Sequence, residues 1–271
     1  MSFRDRFAEE VRSERPDLAL LCLLLAAEAD PALGEHAVDE AQIELDRLAG
    51  MLPYGLHSPA AWASAVAELL GERCGFHGAP ADYQRLESSL LHEVLRRRRG
   101  LPILLSVVWI EVARRAGAPV YGVALPGHFV VGFGEPAERV LADPFAGGRP
   151  LSPEDAELLV VSATGAPPDP SLLGPARPLE IVHRILNNIR SWAASRPEQS
   201  AVQLWALELA LLIPSHPARL RYERAQLLVQ RGEFLRGAAE LESYAEVMNA
   251  IDPPAAAGIR HQAAAARAML N

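Results

Sequence analysis

Arg99-Gly100-Leu101-Pro102-Ile103-Leu104-Leu105-Ser106 is followed by Ala113-Arg114-Arg115-Ala116-Gly117-Ala118-Pro119, then by Gly127-His128-Phe129-Val130, then by Ala142-Asp143-Pro144. The order of these pieces decides the fold. The first two bracket an apolar helix over 101–116. Pro102 suits its opening turn, where the missing N–H is not needed, and Gly117 stops it. After Gly117 the hydrophobic period shortens. Residues 120–125 and 128–133 read as short strands joined at Pro126-Gly127, and 139–142 as a third strand ended by Asp143-Pro144.

On both sides of this centre the chain is helical. Upstream, apolar residues at helical spacing predict helices over 3–14, 17–28, 37–51, 59–73 and 84–98. Ser58 is the expected N-cap of the fourth, with Gly75 beyond its end. The fifth ends in Arg96-Arg97-Arg98-Arg99. That run complements the negative end of a helix dipole and reads as a solvated end, with a basic binding patch as the sharper alternative. Downstream, a helix over 152–162 opens on Ser152 with Asp155 three residues on, the spacing of a capping box. Gly165, Pro167, Pro168, Pro170, Gly174, Pro175 and Pro178 then crowd one stretch, and 166–178 reads as a linker. Helices over 179–195, 199–212, 217–231 and 235–249 follow, and a last one begins after Pro254. The reading divides the chain into 1–165, the linker 166–178, and 179–271.

Half of the residues are hydrophobic, enough for a packed core and against global disorder. A net charge of −8 argues against nucleic acid or an anionic membrane as partner. All 26 basic residues are arginine, which excludes lysine Schiff-base chemistry and a lysine acyl acceptor within the chain. Cys22 and Cys74 are too few for a disulfide framework or a zinc cluster, so no metal or other cofactor is expected. Cys22 lies within an apolar helical pattern and reads as a small core residue. The apolar run 18–27 is far shorter than the ~20 residues of a membrane span. The first residues lack signal-peptide architecture, which makes the cytoplasm the expected location.

The ordered pieces resemble the transglutaminase-like superfamily. The resemblance implies an α+β, predominantly helical protein: a papain/transglutaminase-like core with a small antiparallel sheet. In that superfamily a nucleophilic cysteine opens a buried helix, a histidine lies on a following strand, and an aspartate precedes proline on the next. A helix N-terminus lowers the thiol pKa, the imidazole forms the ion pair with the thiolate, and the carboxylate fixes the ring. The resemblance carries the last two roles onto His128 and Asp143. Counted back from Gly117 by the family's helix length, it puts the nucleophile position on Pro102, which has no nucleophile.

Leu91-His92-Glu93-Val94-Leu95-Arg96-Arg97-Arg98-Arg99-Gly100-Leu101-Pro102-Ile103, Leu125-Pro126-Gly127-His128-Phe129 and Asp143-Pro144-Phe145-Ala146-Gly147-Gly148 are similar to one branch of the superfamily. It is the bacterial SirB-type regulator branch, in which tetratricopeptide-like helical hairpins follow the core and no enzymatic activity has been demonstrated. The branch has Asn where this chain has His92 and Ala146. Ala225-Gln226-Leu227-Leu228-Val229-Gln230-Arg231-Gly232-Glu233-Phe234, followed by Ala238-Ala239-Glu240-Leu241, resembles one such hairpin with its turn at Gly232. Fewer than the three or so repeats of a free-standing solenoid are visible, so docking on the core is expected.

Three readings of function follow. In the first, His128 and Asp143 are a remnant pair in an inactive protein that binds another protein or peptide. In the second, an unconventional nucleophile, Ser106 or Cys74, serves His128 in a hydrolase or acyltransferase. Ser106 stands one turn beyond Pro102, roughly 6 Å along the helix, and a hydroxyl there ordinarily bonds to a carbonyl one turn back. In the third, the chain is a helical-repeat scaffold without a site, and His128 and Asp143 need not touch.

Overall fold

A computed structural model of the protein describes residues 1–167, 169 and 173–269. Pro168 and Pro170 of the expected linker lie outside the described residues. By packing, the chain divides into two compact units, Met1–Ile185 and Leu186–Asn271.

The first unit is built round one helix. Four helices come first: α1 (Phe3–Glu10), α2 (Leu18–Ala29), α3 (Glu35–Ala49) and α4 (Pro59–Val66). After α5 (Leu91–Arg97) comes α6 (Pro102–Arg115), in which every residue from Pro102 to Ala113 is buried. A helix apolar on all sides needs partners on all sides. It packs on α2, α3, α4 and α5, and on a sheet that follows it in the chain. The strands are β1 (Val120–Val123), β2 (Val130–Phe133), β3 (Val140–Asp143), β4 (Arg149–Leu151) and β5 (Pro175–Ala176), in the antiparallel order β4-β3-β2-β1-β5. All four residues of β2 are buried. The α6 side supplies one cover. On the other, α7 (Pro153–Thr164) sends Ala156 and Val160 into a cluster with Val123, Leu125, Val130, Leu141 and Leu151. Each such fully buried aliphatic side chain contributes about 1.5–3 kcal/mol. Gly122 permits the close approach on β1, since a Cβ there would meet the rings and methyls of Phe129 and Ile110.

Several boundaries differ from the sequence reading, each for a local reason. Ser58 does cap α4, its hydroxyl accepting from Ala61 N at 3.2 Å. The helix expected to run to 73 widens after Val66 into π-type turns over Ala67–Arg73. Within them Gly71 lies against the turn after β3, where a Cβ would stand 1.9 Å from Gly147 O. The helix expected over 84–98 is two short turns, Pro80–Gln84 and Leu86–Ser89, before α5. Buried Asp82 holds these turns, accepting from Ala79 N, Ser88 Oγ and Arg99. The capping box at Ser152 and Asp155 is present at the start of α7. β4 and β5 were not foreseen. β5 lies in the stretch read as a linker and pairs with β1 through Gly122↔Ala176 and Val123↔Pro175.

The arginine run is corrected as well. Only Arg96, with 70% of its side chain exposed, is a solvated end. Arg97 and Arg99 both face Asp82, and Arg98, in the left-handed conformation that ends α5, pairs with Glu44 and lies over the Phe76 ring. Three of the four are internal ties.

The second unit takes up α8 (Pro178–Ala194) from within its length and continues with α9 (Ser200–Leu212), α10 (Arg219–Gln230), α11 (Phe234–Asn249) and α12 (Pro253–Ala268). Gly232, at φ +81°, turns α10 into α11. Gly237 lets the two helices close, since its Cβ would lie 2.5 Å from a Val229 methyl. Ala225, Ala238, Leu241, Ala245, Ile259, Ala263 and Ala266 form the core of α10–α12. Small residues at the crossing allow the short axis-to-axis distance of a helical hairpin.

Candidate functional site

Two local structures bring His128 and Asp143 together. The first is the turn between β1 and β2. Gly127 takes φ +71°, and His128 N donates to Leu125 O at 3.2 Å, so the histidine sits just before β2 rather than on it. The second is the end of β3. Asp143 is its last residue, and Oδ1 accepts from Phe145 N at 2.9 Å, which bends the chain into the turn Pro144–Ala146. Because β2 and β3 are neighbours in the sheet, these ends meet.

His128 Nε2 lies 3.0 Å from Asp143 Oδ1, with both side chains largely buried. The oxygen stands off the ring N–H direction, so Nε2 has no aligned hydrogen bond. The separation is the firmer guide to pairing, because a modest rotation of either side chain aligns the bond. The Phe145 ring meets the imidazole edge-to-face at 6.0 Å. Tyr83 packs on Phe145 as well, at 5.9 Å and a tilt. Burial pushes the Tyr83 phenol pKa up, and the Asp143 carboxylate adds to this while the Arg184 guanidinium opposes it. Arg184 Nη2 donates to Leu125 O at 2.6 Å and to His128 O at 2.7 Å, which pins the turn that carries the histidine.

The other residues singled out in the sequence have partners of their own. Pro102 is buried at the first position of α6, behind Leu101 in extended conformation. Ser106 is fully buried, and its hydroxyl donates to Phe129 O at 3.3 Å instead of to a carbonyl one turn back. That bond ties α6 to the residue after His128. Cys74 ends the π-type turns, with its N–H on Leu69 O, and its thiol is close enough to Arg47 to be felt by it. Cys22 is buried in α2, and burial pushes its thiol pKa far up. Among the described residues the His128 side chain contacts Asp143 and Phe145, and no thiol or hydroxyl is within hydrogen-bond distance of it.

The comparisons with known proteins bear on both units. A family model described as the transglutaminase-like superfamily matches residues 39–187, more than half of the chain. The chain belongs to the transglutaminase-like superfamily. A tetratricopeptide-repeat model matches residues 189–271. Among relatives, the UPF0162 protein of Xylella fastidiosa is 35% identical over 68% of this chain and 67% of its own length. The UPF0162 protein of Pseudomonas aeruginosa is 33% identical over 69% of each. F-box only protein 21 of Mus musculus is 26% identical over 69% of this chain and 30% of its own length. The bacterial relatives agree with the SirB-type branch of this superfamily, and the helices that follow the core are its tetratricopeptide-like part.

Tyr83 and Arg184 were not found by the sequence reading. Each is remote from the motif, and nothing in its neighbours marks it. Among the described residues no three His, Cys, Asp or Glu side chains converge as a metal ligand set, and no helix is long and apolar enough to cross a membrane.

Proposed function

We propose that this chain is a catalytically inactive transglutaminase-like protein acting as a binding or regulatory module. The observation that carries the reading is the environment of His128. The imidazole has its carboxylate, yet among the described residues no thiol or hydroxyl lies within hydrogen-bond distance of it, and Pro102 opens α6, the helix that in the resemblance should open on cysteine. Acyl transfer needs that nucleophile within reach of the base. Ser106 does not replace it, because its hydroxyl is sealed in the core and committed to Phe129 O. What remains can bind.

The partner in this reading is a protein or peptide in the cytoplasm, neither nucleic acid nor membrane. The tetratricopeptide-like unit supports it. That unit has a cavity of about 370 Å³ lined by Leu211, His216, Arg221, Arg224, Glu240 and Tyr244, mixed in charge as a peptide groove is. The test is turnover. Purified full chain is incubated with amide and ester substrates beside His128→Ala, and no His128-dependent hydrolysis or transfer is expected. Turnover abolished by His128→Ala would overturn the proposal in favour of an unconventional nucleophile.

A further inference from the structure

Among the described residues Arg184 is a cation with no carboxylate at ion-pair distance. Nη2 is spent on the carbonyls of Leu125 and His128, and the guanidinium carbon lies 5.5 Å from the centre of the Phe129 ring. Desolvation pushes its pKa down, with only the Tyr83 phenol opposing. Every other internal arginine discussed above faces an acid: Arg97 and Arg99 face Asp82, and Arg98 faces Glu44. A half-buried charge left uncompensated is expensive to keep. Here it stands at the one place where the superfamily works on a ligand.

The surrounding groups complete a receptor. Arg184 Nε and Nη1 make no protein hydrogen bond and are not sealed from solvent. His128 Nδ1 likewise keeps its access, since Asp143 takes the Nε2 side. The Tyr83 ring packs at a tilt on Phe145, which itself meets His128, and its phenol lies within the fields of both Asp143 and Arg184. Donors from Arg184 and Tyr83 therefore lie near the turn at His128, and Asp143, the acid beside them, is already engaged by His128 and Phe145 N.

We infer that the site at His128 binds an oxyanion held by Arg184, with Tyr83 as a further donor, in the form of the carboxylate at a peptide C-terminus. The inference rests on the binding-module reading, and it names the ligand of that same site. Guanidinium N–H groups form short, charge-assisted bonds to carboxylate oxygens, and either Nε or Nη1 offers one such donor while Nη2 holds the turn.

Calorimetric titration of the full chain with N-acetyl-diglycine, its C-terminal amide and inorganic phosphate tests this. The acid is expected to bind at least about tenfold more tightly than the amide, the worth of a charge-assisted bond. Arg184→Gln should remove that preference. Tyr83→Phe, on a partly exposed ring, keeps the fold and should weaken the acid about threefold. If Arg184→Gln does not fold, the acid–amide comparison and Tyr83→Phe decide. Phosphate binding more tightly than the acid, and lost in the same variants, would support the oxyanion site and identify a free phosphate as its ligand. Equal binding of acid and amide, no binding of any probe, or wild-type affinity in both variants overturns the inference. Those results, with no turnover, leave the inactive-module reading standing, whereas His128-dependent turnover of the same peptides overturns that reading instead.

Discussion

Two buried aspartates of the first unit are treated in opposite ways. Asp82 is 2% exposed and sits among Ala79 N, Ser88 Oγ, Arg97 and Arg99, so its carboxylate is satisfied several times over. Asp143 is 7% exposed, and one of its oxygens serves both Phe145 N and His128. The first is a closed knot that holds the turns carrying Tyr83. The second leaves the far side of an imidazole unused. A buried charge compensated from every direction is scaffold, whereas one paired to an imidazole with spare capacity is a candidate site. Arg97, Arg98 and Arg99 belong to the scaffold, and Arg184 to the proposed binding site.

The contrast can be broken from the scaffold side first. Asp82→Ala strands two arginines, and breaking such a buried pair costs about 3–5 kcal/mol. A urea titration should show it as a lower midpoint. Gly71→Ala pushes a methyl into the backbone of Gly147, and overpacking of this kind costs about 1–3 kcal/mol. Because Gly147 belongs to the turn that follows Asp143, the same variant should also disturb the His128 ring resonances. On the site side, Asp143→Asn keeps the shape and loses one charged partner, for about 1 kcal/mol. A loss as large as that of Asp82→Ala would erase the distinction between the two acids.

The smallest effect sharpens the comparison through pH. His92 is nearly buried, Nδ1 has no partner, and burial holds its pKa below the usual histidine value. The charges it faces are Glu93, Asp30 and Arg96. The folded state thus binds fewer protons than the unfolded chain below that value. Stability from this group is full above the unfolded histidine pKa of about 6.5, and is lost as pH falls from there through the lowered folded value. His92→Asn should flatten the fall in Tm between about pH 7 and pH 5. An unchanged slope would remove His92 from the account.

Much of the fold was legible because its signals are local. Pro102 and Gly117 bound a helix wherever they occur at that spacing, and the structure places α6 over Pro102–Arg115. Gly127 and Asp143-Pro144 mark turns for backbone reasons of their own. The strands β4 and β5 escaped because three and two residues carry no period to read. The π-type widening over Ala67–Arg73 escaped because it answers to a contact with Gly147, far along the chain. The same limit hid part of the site. His128 and Asp143 were visible through a motif, whereas Tyr83 and Arg184 reach it from turns and helices with no motif of their own.

By itself, the sequence determined which helix is buried on all sides, that its opening residue lacks a nucleophile, and that a histidine and an aspartate follow at the ends of neighbouring strand segments. These are properties of residue type and spacing, which act over a few bonds. Only the tertiary structure decided that the imidazole and the carboxylate stand 3.0 Å apart, that Ser106 is committed to Phe129 O, and that three of four consecutive arginines face inward. It also left Arg184, beside His128, with no carboxylate among the described residues at ion-pair distance. Charge compensation is a matter of distances between segments remote in the chain, and those distances exist only once the core has packed.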